Sequence, residues 1–213
     1  MIRAVFFDLW DTLITIPHFK EKSKKLYSFG KLSDTKYIYT QEITLWNKKA
    51  WTPEQFFMYC ARKRGLLLSK LELMELTKKW YMLYATSRVY PDVHPVLAHL
   101  QERKLKLTII SNSTPLTEFV LKRTKLSKNF DHILLSYKEG IMKPDPRIYQ
   151  KALQLSKVSN HEVLFVGDDI NKDGKVPKSL GMQTLIIKRK HTTGLQQQKK
   201  YDITRLTSIY SYL

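Results

Sequence analysis

Asp8 follows the apolar run AVFF, and a second group of acids, Asp168, Asp169 and Asp173, follows EVLFV in the segment GDDINKD. Between them in the chain stand Ser111, Asn112, Ser113 and Thr114, directly after LKLTII, and Lys143 in the loop after HILLS. Singly, each has an ordinary reading: Asp8 and GDD as turn residues, SNST as a helix cap, Lys143 as surface. Their shared position makes them a set, because ligands of an open parallel sheet bind beyond the carboxyl ends of its strands. A nucleophilic carboxylate, a hydroxyl donor, an ammonium group and further acids at one sheet edge suit phosphoryl transfer, where positioning and charge neutralisation dominate. Asp8 and Asp168 would repel each other if bare, so a divalent cation between them is expected.

The elements that must position these groups are readable from hydrophobic pattern. AVFF, LKLTII, EVLFV and QTLII read as strands buried on both faces, with HILLS a weaker fifth. PVLAHLQERK, PLTEFVLKRTKL and DPRIYQKALQLSK lie between the later runs and are each apolar along one face, as crossover helices are. This alternation predicts an α/β fold with a Rossmann-like parallel sheet. About a hundred residues separate the first strand from the second, far more than a crossover needs. From His18 to Arg88 the pattern is helical, with start signals at Ser33, at Thr52 followed by Pro53, and at Ser69. A helical domain over residues 17–88, inserted into a core of residues 1–16 and 89–213, is therefore expected, with roughly four helices. Its aromatics, Trp46, Trp51, Trp80, Tyr81 and Tyr84, are expected chiefly to form its own small core, with some free to face a substrate. KRKHTTGLQQQKK reads as an exposed polar loop.

The ordered segments FFDLWDTLI, TIISNST, MKPDPRIY and VLFVGDDINKD resemble the motifs of the haloacid dehalogenase superfamily of aspartate-nucleophile hydrolases. The resemblance covers nearly the whole core, and the helical insert sits where that family places its first-type cap. It implies that Asp8 attacks phosphorus to form an aspartyl-phosphate, later hydrolysed by water. Ser111, Asn112 and Lys143 would bind the substrate, Ser111 and Lys143 holding the phosphoryl oxygens. Mg²⁺ would be held by the carboxylates of Asp8 and Asp168 and the backbone carbonyl of Trp10, with Asp169 and Asp173 in support. The implied substrate is a small anionic, phosphorylated compound.

The sequence departs from the family's phosphatases at Trp10. They carry D-x-D, whose second acid protonates the leaving oxygen and then deprotonates water. Losing such a group forfeits roughly 100- to 10,000-fold in rate, so good leaving groups such as aryl or acyl phosphates are expected to be preferred. Asp11 is one residue displaced, and a one-residue shift in a tight loop re-aims a side chain. His18, where the chain leaves the first motif, is the one histidine placed to supply the proton instead. An aromatic residue at this position is also a feature of the haloacid dehalogenases proper, which leaves open a 2-haloacid dehalogenase reading. A binding protein with a degenerate site is a third. The several carboxylates of GDDINKD favour the metal-dependent phosphatase, since they make sense beside a nucleophilic acid mainly when a cation is present. DINKDG also matches the first half of a calcium loop, but the twelfth position of that loop is Leu180 and the segment follows a strand, not a helix.

Composition narrows the setting. The single cysteine, Cys60, allows no intrachain disulfide and fits a reducing compartment. No apolar stretch approaches the roughly 20 residues of a membrane span, so a cytoplasmic protein is expected. Thirty-seven Lys and Arg against nineteen Asp and Glu give a net charge of +18, a field that attracts anions. The basic residues are scattered through KEKSKK, ARKRG, LKRTK, IIKRKH and QQQKK, which reads as solvated surface rather than a nucleic-acid site. There is no GxGxxG after the first strand and no GxxxxGK[ST], so no nucleotide cofactor is implied.

Overall fold

The computed structural model describes residues 1–27, 43–189 and 201–213. The predicted runs become a five-stranded sheet: β1 (Ala4–Phe7), β4 (Lys106–Ser111), β5 (His132–Leu135), β6 (Val163–Gly167) and β7 (Gln183–Ile186). The order is β5-β4-β1-β6-β7 and every pairing is parallel. All four residues of β1 are fully buried, as expected of the central strand of a sheet covered on both faces. In register, Phe7 stands opposite Ile109 on one side and Val166 on the other. The residues that follow these strands, Asp8, Asn112 and Asp168, therefore emerge along one edge.

A second, two-stranded antiparallel pair, β2 (Ile14–Thr15) with β3 (Arg88–Val89), closes the neck where the chain leaves the sheet layer and returns. Between them the described residues form four helices, Phe19–Tyr27, Ile43–Trp46, Pro53–Arg62 and Lys70–Ala85. Two of the expected start signals act as read. Thr52 accepts from the Gln55 amide while the Gln55 side chain accepts from the Thr52 amide, with Pro53 at the first helical position, and Ser69 and Glu72 repeat the same reciprocal cap. Ser33 lies outside the described residues, as does most of the polar loop KRKHTTGLQQQKK.

The insert is held by aromatic stacking. Trp46 lies on Phe56 with ring centroids 4.0 Å apart and on Trp80 at 6.2 Å, both nearly parallel. Trp46 and Trp80 are fully buried, while Tyr81 is largely exposed, so the expected small core forms from part of the expected set. That core is continuous with the one beneath the sheet, in a single cluster that includes Leu13, Ile14 and Ile16. No helix among the described residues is long and apolar enough to cross a membrane.

Candidate active site

At the carboxyl edge of the sheet, Lys143 is buried to 1 % exposure and its ammonium lies 2.6 Å from Asp8 Oδ1 and 2.6 Å from Asp173 Oδ1. Burial alone would lower its pKa, but Asp173 and Asp8 together hold it well above the usual lysine range. One carboxylate oxygen from each of Asp8, Asp168 and Asp173 lies within 4.8 Å of the others, so three acids converge, two of them on the ammonium. Asp168 is pushed up to about 9, first by burial and then by the negative charges of Asp8 and Asp173. Asp173 is pushed up to about 6, chiefly by burial, against the opposing pull of Lys143.

Asp173 reaches the cluster because the chain after β6 makes a single wide helical turn, Ile170–Lys175. Asp169 caps that turn, its Oδ1 accepting from the Asn171 and Lys172 amides and its Oδ2 pairing with the Lys172 ammonium at 2.8 Å. Its side chain is thus occupied outside the cluster, while its amide donates to Asp173 Oδ2 at 3.0 Å. Gly167 is required for close approach: a Cβ there would sit 2.3 Å from the Asp173 carboxyl group. The calcium-loop resemblance of this segment ends in the same geometry, since it follows β6, points Asp173 at Lys143 and turns Asp169 to Lys172.

The loop after β4 lies against the Lys143 loop through a reciprocal pair. Asn112 Nδ2 donates to the Lys143 carbonyl and the Lys143 amide donates to Asn112 Oδ1, each at 2.7 Å. Asn112 therefore places the backbone that carries the ammonium. Ser111 is fully buried and its hydroxyl accepts from Ser113 Oγ at 2.8 Å. Ser136, which sequence reading missed, ties this loop to the helical insert: its hydroxyl accepts from the Ser113 amide and donates to the Asn47 carbonyl at 2.6 Å. A second tie runs from Tyr84 Oη to Thr114 Oγ1 at 3.4 Å.

After Asp8 the chain doubles back. The Ile14 amide donates to the Leu9 carbonyl and the Asp11 amide to the Ile14 carbonyl, so the pinch is made by the neighbours of Trp10 and leaves its own carbonyl out of the pairing. Asp11 adopts a left-handed backbone, φ 57°, and its Oδ1 accepts from Thr15 Oγ1 at 2.8 Å. Burial raises the Asp11 pKa and the Thr15 hydroxyl opposes the rise. Arg189 braces this loop from behind. It donates twice to the Thr12 carbonyl, gives Nη1 to both carboxylate oxygens of Asp92 and lies 4.2 Å from the centre of the Tyr90 ring. No local signal marks it, since IIKRKH reads as surface.

His18 does not occupy the position suggested for a substitute proton donor. Its side chain is 70 % exposed and pairs with Glu21 at 3.6 Å, because the left-handed turn at His18 starts the first helix of the insert and carries the imidazole outward. What faces the site from the insert is a cavity of about 250 Å³, lined by Trp10, Asp11, Ile16, Phe19, Ile43, Asn47, Trp80, Tyr84, and by Asn112, Ser113 and Thr114 from the sheet edge.

The arrangement has an excess of negative charge in a buried, oxygen-rich cluster, which suits a divalent cation that prefers oxygen ligands. Residues 2–181 match the family profile described as haloacid dehalogenase-like hydrolase. Over 203 residues, 88 % of this chain and 82 % of the relative, the sequence is 29 % identical to a glyceraldehyde 3-phosphate phosphatase of Pyrococcus abyssi. A HAD family enzyme of Bacteroides thetaiotaomicron, solved with magnesium and inorganic phosphate, superposes with a TM-score of 0.71 at 18 % identity, covering 94 % of this chain and 100 % of that one. An L-2-haloacid dehalogenase of Xanthobacter autotrophicus, with chloropropionic acid covalently bound, superposes at 0.62 and 22 % identity, covering 93 % and 80 %.

Proposed function

This chain belongs to the haloacid dehalogenase-like hydrolases, and on that premise we propose that it is a magnesium-dependent phosphatase working through a phosphorylated Asp8. The observation that carries the proposal is the buried ammonium of Lys143 between Asp8 and Asp173, with Asp168 beside them, at the ends of β1 and β6. With Oδ1 on Lys143, the other oxygen of Asp8 attacks phosphorus as the bond to the leaving oxygen breaks, and that oxygen departs as an anion that takes its proton from solvent. Ser111 and Lys143 hold the phosphoryl oxygens, and Asn112 keeps the Lys143 backbone in place. Water then cleaves the acyl phosphate, returning the Asp8 carboxylate and inorganic phosphate.

Asp8, Asp168 and the Trp10 carbonyl would hold Mg²⁺, with Asp173 as a further neighbouring carboxylate. Bound there, the ion supplies charge neutralisation of the phosphoryl oxygens and of the acid cluster. We take residues 17–88 as the cap over this site and the remainder as the hydrolase core.

The test is phosphate release from p-nitrophenyl phosphate that stops on chelation. The 2-haloacid dehalogenase reading rests on the aromatic side chain of Trp10. It requires chloride release from 2-chloropropionate that chelation leaves intact.

Metal binding should move a proton. A carboxyl whose folded pKa lies above its unfolded value of about 4 keeps a proton that the unfolded chain has lost. With Asp168 pushed up to about 9, the metal-free fold loses stability as pH rises between these two values. Mg²⁺ binding at pH 7 should therefore release about one proton, and affinity should climb towards pH 9. Titration calorimetry in two buffers of different ionisation enthalpy reads the proton number, and a value of zero contradicts the protonated cluster.

Trp10→Asp restores the missing acid at its place in the loop. It should raise turnover of an alkyl phosphate by roughly 100-fold while changing that of p-nitrophenyl phosphate far less. An unchanged ratio of the two rates would show that position 10 is not where the proton is handled.

A further inference from the structure

We infer that the cavity beside the nucleophile selects a phosphate monoester whose leaving group is apolar, aromatic and uncharged; the inference rests on the phosphatase reading and names its substrate class. The walls are aromatic. Trp10 meets Tyr84 edge-on with centroids 5.7 Å apart, Phe19 meets Tyr84 edge-on at 6.2 Å, and Phe19 lies on Trp80 at 6.2 Å. Ile16 and Ile43 complete the apolar surface.

Several polar groups on the rim are already committed. Both ends of the Asn112 amide are held by the Lys143 backbone, the Ser113 hydroxyl is on Ser111, and the Thr114 hydroxyl is on Tyr84. The chain carries 37 Lys and Arg, yet among the described residues none lines this cavity. Among the described residues its one charged side chain is Asp11. A substrate bearing a carboxylate or a second phosphate beyond its reacting group would thus meet a carboxyl group and, among the described residues, no lining counter-ion.

Size agrees with one ring. An apolar cavity of about 150 Å³ already accepts benzene, and this one measures about 250 Å³. Placement agrees as well, because the lining residues Trp10, Asp11 and 112–114 belong to the loops that carry Asp8 and Ser111.

Leaving-group chemistry and recognition must be separated in the test. Benzyl phosphate and O-phosphoserine both leave as alkyl oxygens, and only benzyl phosphate brings a ring and no further anion. With Mg²⁺, kcat/KM for benzyl phosphate should exceed that for phosphoserine by roughly tenfold or more. Ile43→Lys, which puts a cation on the cavity wall, should move the ratio towards phosphoserine by a similar factor. Equal or reversed preference in the wild type overturns the inference while leaving the phosphatase reading intact. If neither ester is hydrolysed, the phosphatase reading fails only if p-nitrophenyl phosphate is spared too, and in either case calorimetry with non-hydrolysable benzylphosphonate against phosphonoacetate decides the pocket. Tighter binding of the benzyl compound supports it, and equal or weaker binding rejects it.

Discussion

Asp8→Asn is expected to lower kcat by at least about 10,000-fold, since removing the nucleophile of a covalent mechanism removes the pathway and not one contribution to it. The substitution is isosteric, and the amide oxygen still accepts a hydrogen bond from the Lys143 ammonium, 2.6 Å from Oδ1 in the wild type. The fold should survive, so the loss is one of chemistry. Urea unfolding alongside phosphate release separates the two. A variant that folds and turns over within tenfold of the wild type would falsify nucleophilic attack by Asp8. Mg²⁺ affinity should fall in the same variant, because one of the three converging carboxylates becomes neutral.

Lys143→Met carries the largest expected effect on stability. Its ammonium, 2 % exposed, is shared by Asp8 and Asp173, whose side chains are 10 % and 1 % exposed. Removing it leaves buried carboxylates without a counter-ion, and breaking such a pair costs about 3–5 kcal/mol. In metal-free protein this should appear as a lower urea midpoint at pH 7. Mg²⁺ should return part of the loss, since it binds the folded cluster and not the unfolded chain.

The pH dependence has a definite sign. Lys143 has a folded pKa above its unfolded value, so its contribution is complete below about pH 10 and fades only as pH rises through the raised folded value. Asp173 is already raised to about 6 beside the lysine, and loses that support in the variant. The variant should therefore take up protons at higher pH than the wild type, and the stability gap should narrow as the pH falls. A gap independent of pH, or absent at pH 7, would show that the ammonium does not hold the acids.

Short-range physics made the frame of this protein readable from its residues. The five apolar runs became the five parallel strands because a strand covered on both faces must be apolar along its length, and that constraint needs no knowledge of the partner strand. Thr52 and Ser69 were readable because a helix cap is satisfied within three residues. The chemical set was readable as residue types, because strand ends mark where ligands bind in such a sheet.

Which of those side chains meet was a different matter. Nothing in IMKPDP distinguishes a buried ammonium from a surface one; Lys143 is decided by acids 135 and 30 residues away. Asp169 and Asp173 are both acids of GDDINKD, yet one wide turn aims Asp173 into the cluster and leaves Asp169 as a cap facing Lys172. Ser136, Asn47 and Arg189 act through contacts 23 to 177 residues apart, which hydrophobic period and local motif do not encode. The sequence by itself determined the strands, two of the helix starts and the kinds of group gathered at the sheet edge, since burial pattern and capping are local. Only tertiary structure decided which acid faces the ammonium, where His18 points and that the helices between β2 and β3 line a cavity with aromatic rings beside Trp10 and Asp11, because a side chain's direction depends on the chain that packs against it.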